Sequence, residues 1–143
     1  MAMARLPTAA SEGRANLHQG AVAVAVDLVT GQTFGGVCDN RAIQHHPDNG
    51  EPIAGWTVPD WPRLRDSAMR LGEALQLGYL GVDFVVDATR GAVLLEANAR
   101  PGLAVQVAHG RGILRRLDLI DEQRDEMLTG DNRLQLVARL AQL

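Results

Sequence analysis

The sequence predicts an α+β fold, an antiparallel sheet with packed helices, and three stretches carry that reading. Ala21-Val22-Ala23-Val24-Ala25-Val26-Asp27-Leu28 is a run of small and β-branched residues that ends at a turn around Thr30-Gly31, the pattern of a strand. From Trp61 to Leu77 the apolar residues Leu64, Ala68, Leu71, Ala74 and Leu75 return at helical spacing, with Arg63, Arg65, Asp66, Arg70 and Glu73 on the wetter side. Leu80 to Asp87 and Ala92 to Asn98 are apolar runs joined by the short polar link Ala88-Thr89-Arg90-Gly91, which reads as an antiparallel hairpin.

The remaining elements follow in order. Met1 to Leu6 is apolar and strand-like, and Thr8 to Gly13 is a loop of small and polar residues. Gln32 to Cys38 returns as the partner of the Ala21 strand, weakened or bulged at Gly35-Gly36. Asp39 to Trp56, with His45-His46-Pro47-Asp48-Asn49-Gly50, reads as a connecting loop, and Pro59, Asp60 and Pro62 announce the long helix. Past Pro101-Gly102, Leu103 to His109 is a helical turn or short helix. The tail from Leu117 has helix-like spacing through Ile120, Met127, Leu134, Val137, Leu140 and Leu143, with Gly130-Asp131-Asn132 as a break.

The totals exclude several classes. With 143 residues and 46% hydrophobic composition the chain suits one domain, and 3% aromatic residues mean a core of Val, Leu, Ile and Ala. A formal charge of -3, a pI near 5.7 and scattered basic residues give no field for a phosphate backbone, so no nucleic acid is expected as a partner. No apolar run approaches a membrane span, and the start lacks the apolar core of a signal peptide. The single cysteine, Cys38, forms no internal disulfide, and the cytoplasm is the default compartment.

The hairpin carries the chemistry. Centred near Thr89 and Arg90, it sets Asp83 roughly opposite Glu96, and Glu96 and Asn98, two apart on one strand, share a face. Two carboxylates so close repel unless a cation offsets them, and an all-oxygen set with one amide suits Mg²⁺ or Mn²⁺ rather than zinc. Magnesium with few protein ligands completes its shell with water and phosphate oxygens, which implies a nucleotide polyphosphate. The plainer reading makes Asp83 and Glu96 exposed strand residues and Asn98 a turn former. Against it, both acids interrupt Val and Leu runs that read as buried on both sides. His45-His46 lacks a nearby third ligand for zinc, and Trp56 and Trp61 read as packing residues.

Gly81-Val82-Asp83-Phe84-Val85-Val86-Asp87, followed thirteen residues after Asp83 by Leu95-Glu96-Ala97-Asn98-Ala99-Arg100-Pro101-Gly102, resembles the carboxy-terminal signature of ATP-grasp ligases. The strings Arg5-Leu6-Pro7-Thr8, Gly13-Arg14-Ala15-Asn16-Leu17-His18-Gln19-Gly20-Ala21 and Asn98-Ala99-Arg100-Pro101-Gly102-Leu103 resemble the alpha-L-glutamate ligase-like group, relatives of the ribosomal-protein glutamate ligase. The resemblance runs from about Ala2 to about Leu119 and makes residues 1–120 the carboxy-terminal portion of an ATP-grasp domain, with a loop at 39–60 and a helical tail at 121–143.

That resemblance implies an ATP- and Mg²⁺-dependent carboxylate–amine ligase working through an acyl phosphate on small carboxylate and amine substrates. It makes Asp83, Glu96 and Asn98 the metal ligands, with Glu96 also toward the nucleotide. Arg100, Asn16 and His18 are the catalytic candidates, and Arg14, Arg5 and Gly20 the nucleotide-side ones. For Asn16 and His18 the plainer reading is that they cap and brace their loop. Some ATP-grasp enzymes place an arginine two positions before the metal-binding aspartate; here Gly81 stands there, so that charge must come from another residue. The adenine-side lysines and the phosphate-covering loop belong upstream of the matched strings. A missing amino-terminal half or a homo-oligomer is therefore an expected partner. The alternative is a non-catalytic ATP-grasp fragment acting as a structural or oligomerisation module.

Overall fold

The computed structural model describes residues 1–123 and 130–143. Four antiparallel strands form a sheet in the order β1 (Ala2–Leu6), β2 (Val22–Val26), β3 (Thr33–Cys38) and β4 (Arg41–Ile43). Strands β5 (Gly81–Asp87) and β6 (Gly91–Asn98) pair only with each other. The helices are α1 (Trp61–Leu75), α2 (Ala104–His109), α3 (Leu114–Glu122) and α4 (Gly130–Ala141). This is the mixed α+β arrangement of antiparallel strands and packed helices that the sequence predicts.

Strand β2 organises the core because all five of its residues are buried. Its alternation sorts them by size. Val22 and Val24 pack with Ile53, Ala4, Leu6 and Ile43, and Val26 packs with Trp61 and Leu64 of α1. Ala23 and Ala25 face the other way, against Ala108 of α2, Met3 and Leu17. Side chains on successive strand positions point to opposite faces, so large residues fill one layer and small ones let α2 approach the other. The expected irregularity in β3 is present as a register shift: Ala25 pairs with Gly35 and Val26 with Thr33, leaving Phe34 as the extra residue.

The segment read as a connecting loop contributes more than expected. It contains β4, and its Ile53 is among the most buried side chains of the chain. Backbone bonds fasten it to β3: Thr33 N donates to Trp56 O at 2.8 Å and Gly55 N to Thr33 O at 2.8 Å. A Cβ on Gly36 would lie 2.4 Å from Ile53 Cδ1, so the glycine there makes room for this side chain rather than merely weakening the strand. Trp61 is buried, with its indole N–H donating to Leu28 O at 3.1 Å, and Trp56 packs on the Val22 cluster, as packing residues should.

Three other expectations need correction. The hairpin is not buried on both sides: Val85 and Leu94, which its register places on opposite faces, are 45% and 44% exposed, and Leu95 at the bulge is 62% exposed. Helix α1 buries only Trp61 and Leu64, and its end leaves Leu75 exposed, although the helical periodicity continues to that point. Gly130, Asp131 and Asn132 begin α4 instead of breaking the tail, and Met127 lies outside the described residues. No helix among the described residues is long and apolar enough to cross a membrane.

Candidate metal centre

The hairpin turn is built by one carboxylate. Asp87 Oδ1 accepts from Thr89 N at 2.9 Å, Thr89 Oγ1 at 2.7 Å and Arg90 N at 2.9 Å, and these bonds hold its carboxyl well below the usual range, at about 2. From this turn the ladder runs to the open end, where Asp83 pairs with Glu96, Val82 with Ala97 and Gly81 with Asn98. The register expected from the sequence is therefore present at the acids. A bulge between Asp83 and Phe84 separates this end from the apolar part. Phe84 and Ala92 lean on the Val26–Trp61–Leu64 cluster, which anchors the hairpin to α1.

The residue before the acids is explained by a close approach. A Cβ on Gly81 would lie 2.4 Å from Pro101 Cβ, so the segment after β6 folds back over the start of β5, and no larger side chain fits. The fold-back is tied by Asn98 Oδ1, which accepts from Arg100 N at 2.9 Å. Asn98 thus does serve as a turn former, and a second lone pair on the same oxygen remains for a ligand.

The cation absent at position 81 arrives from β1. Arg5 Nη2 donates to Asp83 Oδ2 at 2.7 Å, with the two side chains 36% and 40% exposed. Glu96 has no hydrogen-bond or ion-pair partner among the described residues, and neither does the guanidinium of Arg100. Like charges placed directly across a strand pair repel, and Arg5 offsets only the Asp83 side. Two carboxylates and an amide oxygen at one hairpin end, one carboxylate uncompensated, are a donor set suited to a hard divalent cation. Among the described residues no group of three or more His, Cys, Asp or Glu side chains could hold a metal, so any such site depends on Asn98, water or a bound ligand for further oxygens. His46 Nε2 is engaged with Pro7 O at 3.1 Å.

The loop before β2 is organised by residues that sequence reasoning passed over. Thr8 and Ser11, both buried, exchange bonds: Thr8 N donates to Ser11 Oγ at 2.8 Å and Ser11 N to Thr8 Oγ1 at 3.0 Å. Thr8 Oγ1 also donates to Gly20 O at 2.9 Å, closing the loop. Asn16 Oδ1 accepts from His18 N at 3.0 Å and caps the 3-10 turn Leu17–Gln19, which ends at Gly20 with φ of 91°. His18 and Arg14 are exposed, and Arg14 lies 3.7 Å from Glu12. No hydrogen bond or ion pair joins Arg14, Asn16 or His18 to the hairpin among the described residues. The reciprocal Thr-x-x-Ser spacing was the available signal for the closed loop.

Two clefts of about 450 and 440 Å³ open elsewhere on the chain, and neither is lined by Asp83, Glu96 or Asn98. Residues 1–122 match the family described as sugar-transfer associated ATP-grasp. The chain belongs to this ATP-grasp family. The match takes in β1 to β6 and α1 to α3. Neither the curated proteins nor the solved structures contain a match. Membership of the ATP-grasp superfamily agrees with the signature strings around Asp83 and Glu96. The family's description names sugar transfer and does not name glutamate ligases.

Proposed function

We propose that this ATP-grasp chain carries the metal-binding side of an ATP- and Mg²⁺-dependent carboxylate–amine ligase. The observation that carries the reading is the Asp83–Glu96 register pair at the open end of β5–β6, with Asn98 two residues beyond Glu96. Asp83, Glu96 and Asn98 would hold Mg²⁺ or Mn²⁺, which when bound neutralises charge on the transferring phosphoryl group. Arg5 holds the Asp83 carboxylate, and the unpaired guanidinium of Arg100 is available to a phosphate or carboxylate. Asn16, His18, Arg14 and Gly20 shape the neighbouring loop, which on this reading approaches the substrates.

The reading extends to domain roles. Residues 1–120 serve as the carboxy-terminal portion of an ATP-grasp domain, residues 121–143 as a helical tail, and kinship with glutamate ligase-like enzymes accounts for the strings around Asn16 and Arg100. The compartment is cytoplasmic.

A second reading, a non-catalytic structural or oligomerisation module, is favoured by the exposed apolar side chains Val85, Leu94 and Leu95 of the hairpin. Calorimetric titration of ATP with and without Mg²⁺, repeated on Glu96→Gln, separates the two. Mg²⁺-dependent binding lost in the variant supports the ligase half-site, whereas binding that is absent or indifferent to Glu96→Gln supports the module.

A further inference from the structure

A cleft of about 450 Å³ opens at the end of the sheet away from the Arg5–Asp83 pair, between the β2–β3 turn, α2, α3 and α4. Arg111, Arg116 and His109 line it with Asp27, Gln32 and Phe34. Arg116 is 5% exposed and is the one charged residue among the buried ones of the described chain. Its Nε donates to Leu140 O at 3.2 Å, and no carboxylate pairs with its terminal nitrogens among the described residues. The side chain of Arg111 has no partner among the described residues either.

A buried guanidinium without a counter-charge is costly, and a second guanidinium on the same cleft adds repulsion. One oxygen of the carboxylate that lines the cleft is engaged within its own turn. Asp27 Oδ1 accepts from Val29 N at 3.0 Å, Thr30 N at 2.7 Å and Thr30 Oγ1 at 2.8 Å, closing the β2–β3 turn. His109 is fixed by its Nε2–H, which donates to Ala2 O at 2.7 Å, and its ring meets Phe34 edge-on at 5.2 Å. Its Nδ1 is left as the ring's other polar atom. The arrangement offers forked donors on one wall, the Gln32 amide on another and an apolar floor from Val26, Leu28 and Phe34.

We propose that this cleft binds a small organic anion through a carboxylate or phosphoryl group gripped by Arg116 and Arg111. Both groups present oxygens that match the guanidinium fork. The site is independent of the ligase reading, since no residue assigned to the metal centre lines it.

The test uses the 143-residue chain, with succinate and inorganic phosphate as separate probes and sodium chloride at matched ionic strength as the control. Binding is followed by amide chemical shifts at Gln32, Gly110 and Arg111. Saturable shifts with succinate indicate a carboxylate site, and with phosphate a phosphoryl site; either supports the proposal. Loss of one charged hydrogen-bonding partner should weaken binding about tenfold in Arg111→Gln, an exposed position where folding is not at stake. Arg116→Gln should do the same or more, while Glu96→Gln should bind as the parent does. No saturation with either probe, equal shifts with sodium chloride, or undiminished affinity in Arg111→Gln overturns it.

Discussion

Arg5 on β1 and Asp83 on β5 meet at 2.7 Å across a gap that no backbone pairing bridges, since their strands belong to different sheets. Position 81 is closed to any side chain by Pro101, so the cation beside the acid comes from another strand. The ion pair both links sheet to hairpin and occupies one oxygen that a divalent cation would use.

Replacing Arg5 by Gln should therefore separate two effects. Both partners are more than a third exposed, so thermal unfolding should report a loss below about 1 kcal/mol. Mn²⁺ affinity, read from paramagnetic broadening, should rise because a competing positive charge is gone. Weaker Mn²⁺ binding would mean that Arg5 chiefly aligns Asp83.

In EDTA, Glu96→Gln should leave the fold as stable as before or raise its stability by about 0.2–1 kcal/mol, since it relieves cross-strand repulsion with Asp83. Urea denaturation checks this. A clear loss of stability would show that Glu96 has a structural partner.

Gly81→Ala forces Pro101 away, because its Cβ would stand 2.4 Å from Pro101 Cβ. Overpacking of this kind costs about 1–3 kcal/mol, measurable by urea denaturation, and the Asn98–Arg100 fold-back should loosen with it. An unchanged midpoint would show that the segment after β6 yields freely.

Burial lowers the His109 pKa against a smaller opposing effect of its bond to Ala2, with Arg116 and Arg111 adding to the lowering. Asp27, whose carboxyl the imidazolium would favour, also faces this ring. The unfolded chain then takes up a proton that the folded chain resists, so stability falls as pH drops below the ordinary histidine value of about 6.5. Thermal midpoints measured from about pH 5 to pH 8 should decline on the acid side, and less steeply in His109→Gln. Equal slopes would assign the acid sensitivity to other groups.

Local patterns made much of this legible. The Val and Ala alternation of β2, the spacing in α1 and the polar turn at Asp87 to Gly91 each specify an element within a few residues, and pairing of Asp83 with Glu96 follows from the turn position. What escaped depends on distant contacts. Ile53 lies in a stretch rich in Pro and Gly, where only its docking against Gly36 and Val24 makes it core. The reach of Arg5 to Asp83 spans 78 positions, and the burial of Arg116 depends on α4, neither of which has a local periodicity to announce it. Hairpin exposure was misread because apolar content in a strand marks what could be covered, not what is.

The two-sided burial of β2 also sets unequal mutational tolerance along a single strand. On the valine side a smaller residue leaves a void that neighbours can partly fill, whereas on the alanine side an added methylene has nowhere to go but against α2. Enlargement at Ala23 or Ala25 would tilt that short helix and draw His109 off the carbonyl of Ala2, so damage at the centre of the sheet would first be felt at its edge.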